Sequence, residues 1–180
     1  MSLTLRDFWT VVHGMGLGAI FLLAFAGGLA GIYSMRPEWV TVAGLRERVS
    51  RMVAGTWIMA VVAWVTVITG TYVVYPWYRA PAPPGTPPEV LEAQYPRNFL
   101  LSSTDTALWH TFGMEWKEHV AWLAPILATT VAYVVLRYGV RLASMPQVRR
   151  ALLTIFTLAF FAAAAAGIFG AFINKVAPTQ

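Results

Sequence analysis

Four long apolar stretches dominate the chain, and most of its charged residues lie between them. A helix that spans a membrane needs about 20 mostly apolar residues. Three of the stretches reach that length unaided, whereas the third along the chain reaches it only with Lys117, Glu118 and His119 at its start. The pattern predicts four transmembrane helices, at about 8–33, 52–75, 117–138 and 151–173.

The composition supports a membrane protein. Of the 180 residues, 58% are hydrophobic and only 12% are charged, which is about half the charged fraction of a soluble domain. The four spans leave no room for a soluble domain, so we expect a single all-α integral-membrane domain over residues 1–180. The first apolar run is too long for a signal peptide and follows a lone Arg6, so we expect it to be a retained helix.

We expect residues 76–116 to form a long loop on one side of the membrane. Its start, "YPWYRAPAPPGTPPE", is too rich in proline to stay helical. Farther on, Ser103, Thr104 or Asp105 can cap a helix. A helix continued from there through the third span would be about 50 Å long, too long for one crossing. The sequence therefore predicts a short interfacial helix, a bend near Gly113, and then the third transmembrane helix.

Positive charge predicts the orientation. Of the 13 Lys and Arg residues, eight lie in the two short loops, which join the first span to the second and the third span to the fourth. Lys and Arg are enriched in cytoplasmic loops. Both termini and the 76–116 loop are therefore predicted to lie outside, with the protein in the bacterial inner membrane. Loops that face anionic lipid account for the net charge of +5, and nothing indicates nucleic-acid binding.

This orientation brings all three histidines to the outer face. His13 lies just inside the first span, His119 begins the third at a similar depth, and His110 is in the outer loop near Glu115. Ionisable groups at the edge of a membrane are energetically costly and often functional. The chain has no cysteine, which excludes disulfides, thiolate-ligated iron–sulfur clusters and covalently attached c-type haem, but leaves b-type haem open.

Haem b is one chemistry that fits this arrangement. It needs two axial ligands on facing helices, and His13 and His119 are the candidates. The glycines of the first helix would leave room for the porphyrin. Two further residues can replace one axial ligand, and three cations can pair with the propionates. These are His110 and Met114 as ligands, and Arg79, Lys117 and Lys175 as cations.

Two other chemistries stay open beside a purely structural reading of these polar groups. Glu115 and His119 are four residues apart and share a helix face. With His110 or His13 they form a set that can hold zinc, iron or copper, although using both His110 and His119 requires the bend at Gly113. Alternatively, a histidine and the interfacial aromatic rings can line a quinone or lipid pocket.

The four spans with inward histidines resemble small four-helix membrane cytochromes of the b type. The resemblance covers the helices and includes no sequence signature. It implies an electron-transfer subunit of an oxidoreductase complex, which exchanges electrons with quinol or an outer-side redox carrier. Only His13 and His119 form such a pair, so we expect one haem rather than two.

Two alternative functions remain. The first is a non-redox accessory subunit that docks onto a larger membrane complex through small-residue faces, such as those at Gly14/Gly18 and Gly27/Gly31. The second is a membrane metalloenzyme that uses Glu115, His119 and His110. Membrane lipids and other subunits are the partners expected in each case.

The predicted orientation can be tested in this cysteine-free chain with single cysteines at Gly85 and Ser144. An impermeant thiol reagent added to intact cells is expected to label the cysteine at 85 and not the one at 144. Permeabilised cells, where both should react, provide the control. Labelling of 144 without 85 would reverse the orientation.

Overall fold

The computed structural model of the chain describes residues 4–39 and 41–177. Within these ranges all regular structure is helical. Four helices are long and apolar enough to cross a membrane, which confirms that part of the sequence prediction. In chain order the helices are α1 (Leu5–Ser34), α2 (Gly44–Arg79), α3 (Pro88–Gln94), α4 (Pro96–Leu101), α5 (Thr104–Ser144) and α6 (Pro146–Val176).

The start of α5 differs from the prediction. The Ser103 hydroxyl caps the helix by accepting a hydrogen bond from the Asp105 N–H at 3.3 Å, as the sequence suggested. No break in the helix separates an interfacial helix from a third span, because helical structure continues from Thr104 through Gly113. Residues Trp109–Met114 form a π-helical turn within it. A π-helical turn absorbs an extra residue without ending the helix.

The chain divides into two compact units. Unit 1 comprises the residues up to Gly18, Thr66–Trp122 and the residues from Ala164 onwards, and unit 2 comprises Ala19–Val65 and Leu123–Ala163. Each unit contains a segment of α1, α2, α5 and α6. All three histidines fall in unit 1.

Unit 2 is packed around apolar side chains and closely approaching glycines. The Phe156 ring is fully buried, with Gly28 of α1 against it. A Cβ atom on Gly55 of α2 would lie only 3.0 Å from the Gly28 backbone nitrogen, and one on Gly31 would lie 3.1 Å from Met52 Cα. Small residues allow helix backbones to approach in this way. Gly27, by contrast, has nothing within 4 Å of the Cβ position.

Gly28→Ala and Gly27→Ala form a matched pair of neighbouring substitutions. A Cβ at 28 would lie 2.8 Å from the Phe156 ring, so we expect its variant to lose about 1–3 kcal/mol of unfolding free energy. The Gly27→Ala variant should be as stable as the parent, or more so by about the helix propensity gained, ~1 kcal/mol. Thermal unfolding in detergent micelles measures both. Equal melting temperatures would contradict the close packing at Gly28.

Candidate functional site

Unusual helix geometry and ionisable side chains coincide in unit 1. Three of its helices contain a π-helical turn, at Val12–Gly16, Gly70–Val74 and Trp109–Met114. The extra residue in such a turn changes the direction of the side chains around it, and these turns are frequent at functional sites. His13 lies in the first turn and His110 in the third. Unit 1 is therefore the candidate site.

His13 packs against the start of the π-helical turn in α2. Its Nδ1 atom is hydrogen-bonded to the Thr69 hydroxyl at 3.2 Å. The next residue, Gly70, makes room for the ring, because a Cβ atom there would lie 2.8 Å from His13 Cε1. Any larger residue at position 70 would displace the imidazole.

Lys117 packs against Gly170 of α6 in the same way as His13 packs against Gly70. Its ammonium group donates a hydrogen bond to the Ala166 carbonyl oxygen at 3.2 Å, and a Cβ atom on Gly170 would lie 2.8 Å from Nζ. Lys117 is also close enough to His13 for their charges to interact. We call His13, Thr69, Gly70, Lys117 and Gly170 the His13 cluster.

The ammonium group of Lys117 is only partly satisfied. It carries three N–H donors, and one of them has the Ala166 carbonyl as its acceptor. Ion pairs to a carboxylate occur elsewhere in the described ranges, but none involves Lys117. A cation in apolar surroundings is strongly favoured to pair with an anion or a polar ligand.

A second polar group of residues surrounds His110. The Tyr78 hydroxyl and His110 Nδ1 are hydrogen-bonded at 2.7 Å, and Tyr78 is buried. Glu118 lies close enough to Tyr75 and Tyr78 to act on both electrostatically. We call Tyr75, Tyr78, His110 and Glu118 the His110 cluster; the cations near it are Arg79 and Arg97.

Two atoms of the His110 cluster are buried and close enough to interact with each other, but neither makes a hydrogen bond of normal geometry. They are the Tyr75 hydroxyl and Glu118 Oε1. In the part of the chain that the structure describes, the other side-chain atoms of this kind belong to Arg6, Arg97 and Asn98, and all lie in unit 1. Buried polar atoms are normally paired. The set therefore marks a place where water or a polar ligand belongs.

Among the described residues, no hydrogen bond or ion pair joins His13 to His119. The His119 side chain is 70% exposed. Its Nδ1 atom donates to the Glu115 carbonyl oxygen of its own helix at 3.0 Å and lies 3.4 Å from the Glu115 carboxylate. Glu115 and His119 therefore share a helix face, whereas His13 contacts α2.

The other residues singled out from the sequence lie in different surroundings. Met114 is buried in unit 1 among residues that include Tyr78 and Ile173. Arg79 lies over the Tyr75 ring at 5.3 Å, and Lys175 is exposed. Among the described residues no three His, Asp or Glu side chains come together as a metal site would require. The set of Glu115, His119 and a further histidine is therefore not assembled.

Sequence reasoning missed five residues of these clusters, Thr69, Gly70, Gly170, Tyr75 and Tyr78. The two tyrosines look like ordinary interfacial aromatics, although their spacing of three residues places both on one face of a helix. Gly70 is a lone glycine in an apolar run. Such a glycine signals a close approach, but not which side chain makes it.

Comparisons with protein-family models, with curated proteins and with solved structures give no match. The function is therefore inferred from the hydrogen bonds, burial and ionisable side chains of unit 1.

The Tyr78–His110 hydrogen bond predicts the reactivity of the three histidines toward diethylpyrocarbonate. His119 should react first because its side chain is 70% exposed. Tyr78→Phe should raise the rate at His110 by about fivefold, the factor that corresponds to a hydrogen bond of about 1 kcal/mol. Tyr72→Phe, at a residue that is 72% exposed, is the matched control. Peptide mass spectrometry gives the rate at each histidine, and an unchanged rate at His110 in Tyr78→Phe would contradict the contact.

Proposed function

We propose that this chain is an electron-transfer subunit of a membrane complex and that unit 1 binds the headgroup of a quinone or quinol. The observation that carries the proposal is the neighbouring pair of buried polar atoms, Tyr75 hydroxyl and Glu118 Oε1, which interact with each other but make no hydrogen bond of normal geometry. The charge distribution supports placing the protein in a bacterial inner membrane with both termini outside.

The polar groups of unit 1 match the two forms of this ligand. A quinone offers two carbonyl acceptors, to which the Tyr75 hydroxyl and the spare N–H groups of Lys117 can donate. A quinol offers two hydroxyl donors, for which the Glu118 carboxylate is an acceptor. The apolar helix surfaces suit the isoprenoid tail of the ligand. The Tyr75 hydroxyl would thus gain a partner when the quinone binds, and Glu118 Oε1 would gain one when the quinol binds.

In the direction of quinol oxidation, two O–H bonds break and release two protons and two electrons. Glu118 takes up a proton as general base. The hydrogen-bonded Tyr78–His110 pair in the same cluster offers the next acceptor. The electrons pass one at a time to a one-electron carrier of the complex. The reverse steps reduce a quinone.

A b-type haem is the second candidate, and the geometry of two histidines favours it. His13 and His110 each have Nδ1 hydrogen-bonded to a hydroxyl on α2, the kind of contact that orients an imidazole for ligation through its other nitrogen. Haem would supply one-electron transfer. His13 would remain a ligand, with His110 or Met114 in place of the exposed His119.

Quinone binding can be measured by equilibrium dialysis of the detergent-purified protein with a short-tail benzoquinone. Tyr75→Phe is expected to weaken binding of the benzoquinone about tenfold, because it removes a donor to a quinone carbonyl. Glu118→Gln is expected to weaken binding of the corresponding benzoquinol about tenfold, because an amide is a weaker acceptor than a carboxylate. Glu115→Gln, which changes an exposed carboxylate one turn away, should bind like the parent. Equal affinities in all four proteins would overturn the proposal.

Haem is tested separately by the reduced-minus-oxidised optical spectrum and a pyridine haemochrome assay. The second candidate predicts a Soret band that His13→Ala and His110→Ala abolish and His119→Ala retains. Loss of the Soret band in His119→Ala but not in His110→Ala would instead favour His13 and His119 as the axial ligands. A colourless preparation that keeps no haem under mild extraction would remove this candidate.

A further inference from the structure

Three arginines of unit 2 line one small open cavity. It has a volume of about 240 Å³ and is bounded by Arg36, Arg149 and Arg150 together with Tyr33, Pro146 and Leu153. No ion pair compensates these arginines among the side chains that the structure describes. The cavity is therefore a concentration of positive charge.

Arg149 is held rigidly in place by main-chain carbonyl groups. Its Nη1 atom donates to the carbonyl oxygen of Met35 at 2.6 Å and to those of Leu142 and Ala143 at 3.2 Å. Met35 directly follows α1, and the other two residues lie in the last turns of α5. These contacts all involve one nitrogen, so the guanidinium retains donors for an anion while its orientation is set in advance.

Arg36 is oriented by two aromatic rings. Its guanidinium carbon lies 4.1 Å from the Tyr33 ring centroid and 4.9 Å from that of Trp39. Stacking on aromatic faces leaves the in-plane N–H groups of an arginine available for hydrogen bonds. Two of the three arginines are thus positioned by the protein before any ligand arrives.

The placement of the arginines is unfavourable without an anion. Arg149 and Arg150 lie in the first turn and a half of α6, which begins at Pro146, and cations oppose the helix dipole at an N-terminus. Like charges that line one cavity also repel each other. A phosphate group would relieve both effects, since arginine binds phosphate through paired, charge-assisted hydrogen bonds.

A shallow, largely open apolar depression, called the groove below, continues from this cavity along one face of α6. The groove has a volume of about 320 Å³ and shares Leu153 with the arginine cavity. Its other lining residues are Thr154, Thr157, Leu158 and Phe161. A charged cavity joined to an apolar groove on a membrane-spanning helix matches a ligand with a phosphate headgroup and an acyl chain.

We propose that the arginine cavity binds the phosphate of an anionic phospholipid, whose acyl chain lies in the groove on α6. A basic pocket beside membrane helices is a common way to recognise such headgroups. This site does not depend on the proposed quinone site in unit 1. The groove adjoins the cavity and can hold an acyl chain. The ligand is therefore a lipid rather than free phosphate.

Native mass spectrometry of the detergent-solubilised full chain can test the proposal by titration with phosphatidylglycerol or phosphatidylcholine. The parent should bind phosphatidylglycerol in preference. The double variant Arg36→Gln/Arg150→Gln should bind it roughly 25-fold more weakly, at about fivefold for each arginine. Arg137→Gln/Arg141→Gln removes the same charge from arginines outside the cavity and should bind like the parent. Arg149 is left unchanged because it holds the ends of two helices.

The outcomes that would overturn the proposal are distinct. Equal weakening in both double variants would mean that net charge, not the cavity, attracts the lipid. Competition by inorganic phosphate as effective as that by phosphatidylglycerol would mean that the acyl groove contributes nothing. Arg36→Lys/Arg150→Lys, which keeps the charge but loses the paired hydrogen bonds of the guanidinium groups, should bind more weakly than the parent and more tightly than Arg36→Gln/Arg150→Gln. Equal thermal unfolding of all variants in neutral detergent shows that the comparison is between folded proteins.

Discussion

An ionisable side chain in a membrane-spanning helix must find hydrogen-bond partners within the protein, because hydrocarbon cannot solvate it. In unit 1 those partners come from other helices. The Lys117 ammonium bonds the Ala166 carbonyl, His13 bonds the Thr69 hydroxyl, and His110 bonds the Tyr78 hydroxyl. Each contact joins two helices, so the polar groups that carry the chemistry also hold the segments of unit 1 together.

Glycines provide the space for two of these side chains. Gly70 and Gly170 each face a side chain that a Cβ atom would meet at 2.8 Å. The π-helical turns add to this effect, because an inserted residue rotates the following side chains relative to a regular helix. Small residues and irregular turns therefore belong to the site as much as its ionisable groups do.

The two units satisfy their polar groups differently. In the core of unit 2, the buried Thr56 hydroxyl donates within its own helix, to the carbonyl oxygens of Met52 and Val53. In unit 1, Tyr75 and Glu118 keep buried polar atoms that make no hydrogen bond of normal geometry with the described residues. An unpaired buried polar atom lowers stability. This is the physical reason to look for a ligand in unit 1, whereas the site proposed in unit 2 consists of arginines that are at least partly exposed.

The sequence by itself determined the helical class and the four helices that are long and apolar enough to span a membrane, because hydropathy and segment length are local properties of the chain. It also identified the histidines and Lys117 as candidates. Only the tertiary structure decided their partners, which lie 56 residues apart for His13 and Thr69 and 32 apart for Tyr78 and His110. Similar depth suggested that His13 and His119 face each other, but depth does not determine the rotation of a helix about its axis. Packing against neighbouring helices and the π-helical turns determine that rotation, and neither can be read from hydrophobic periodicity.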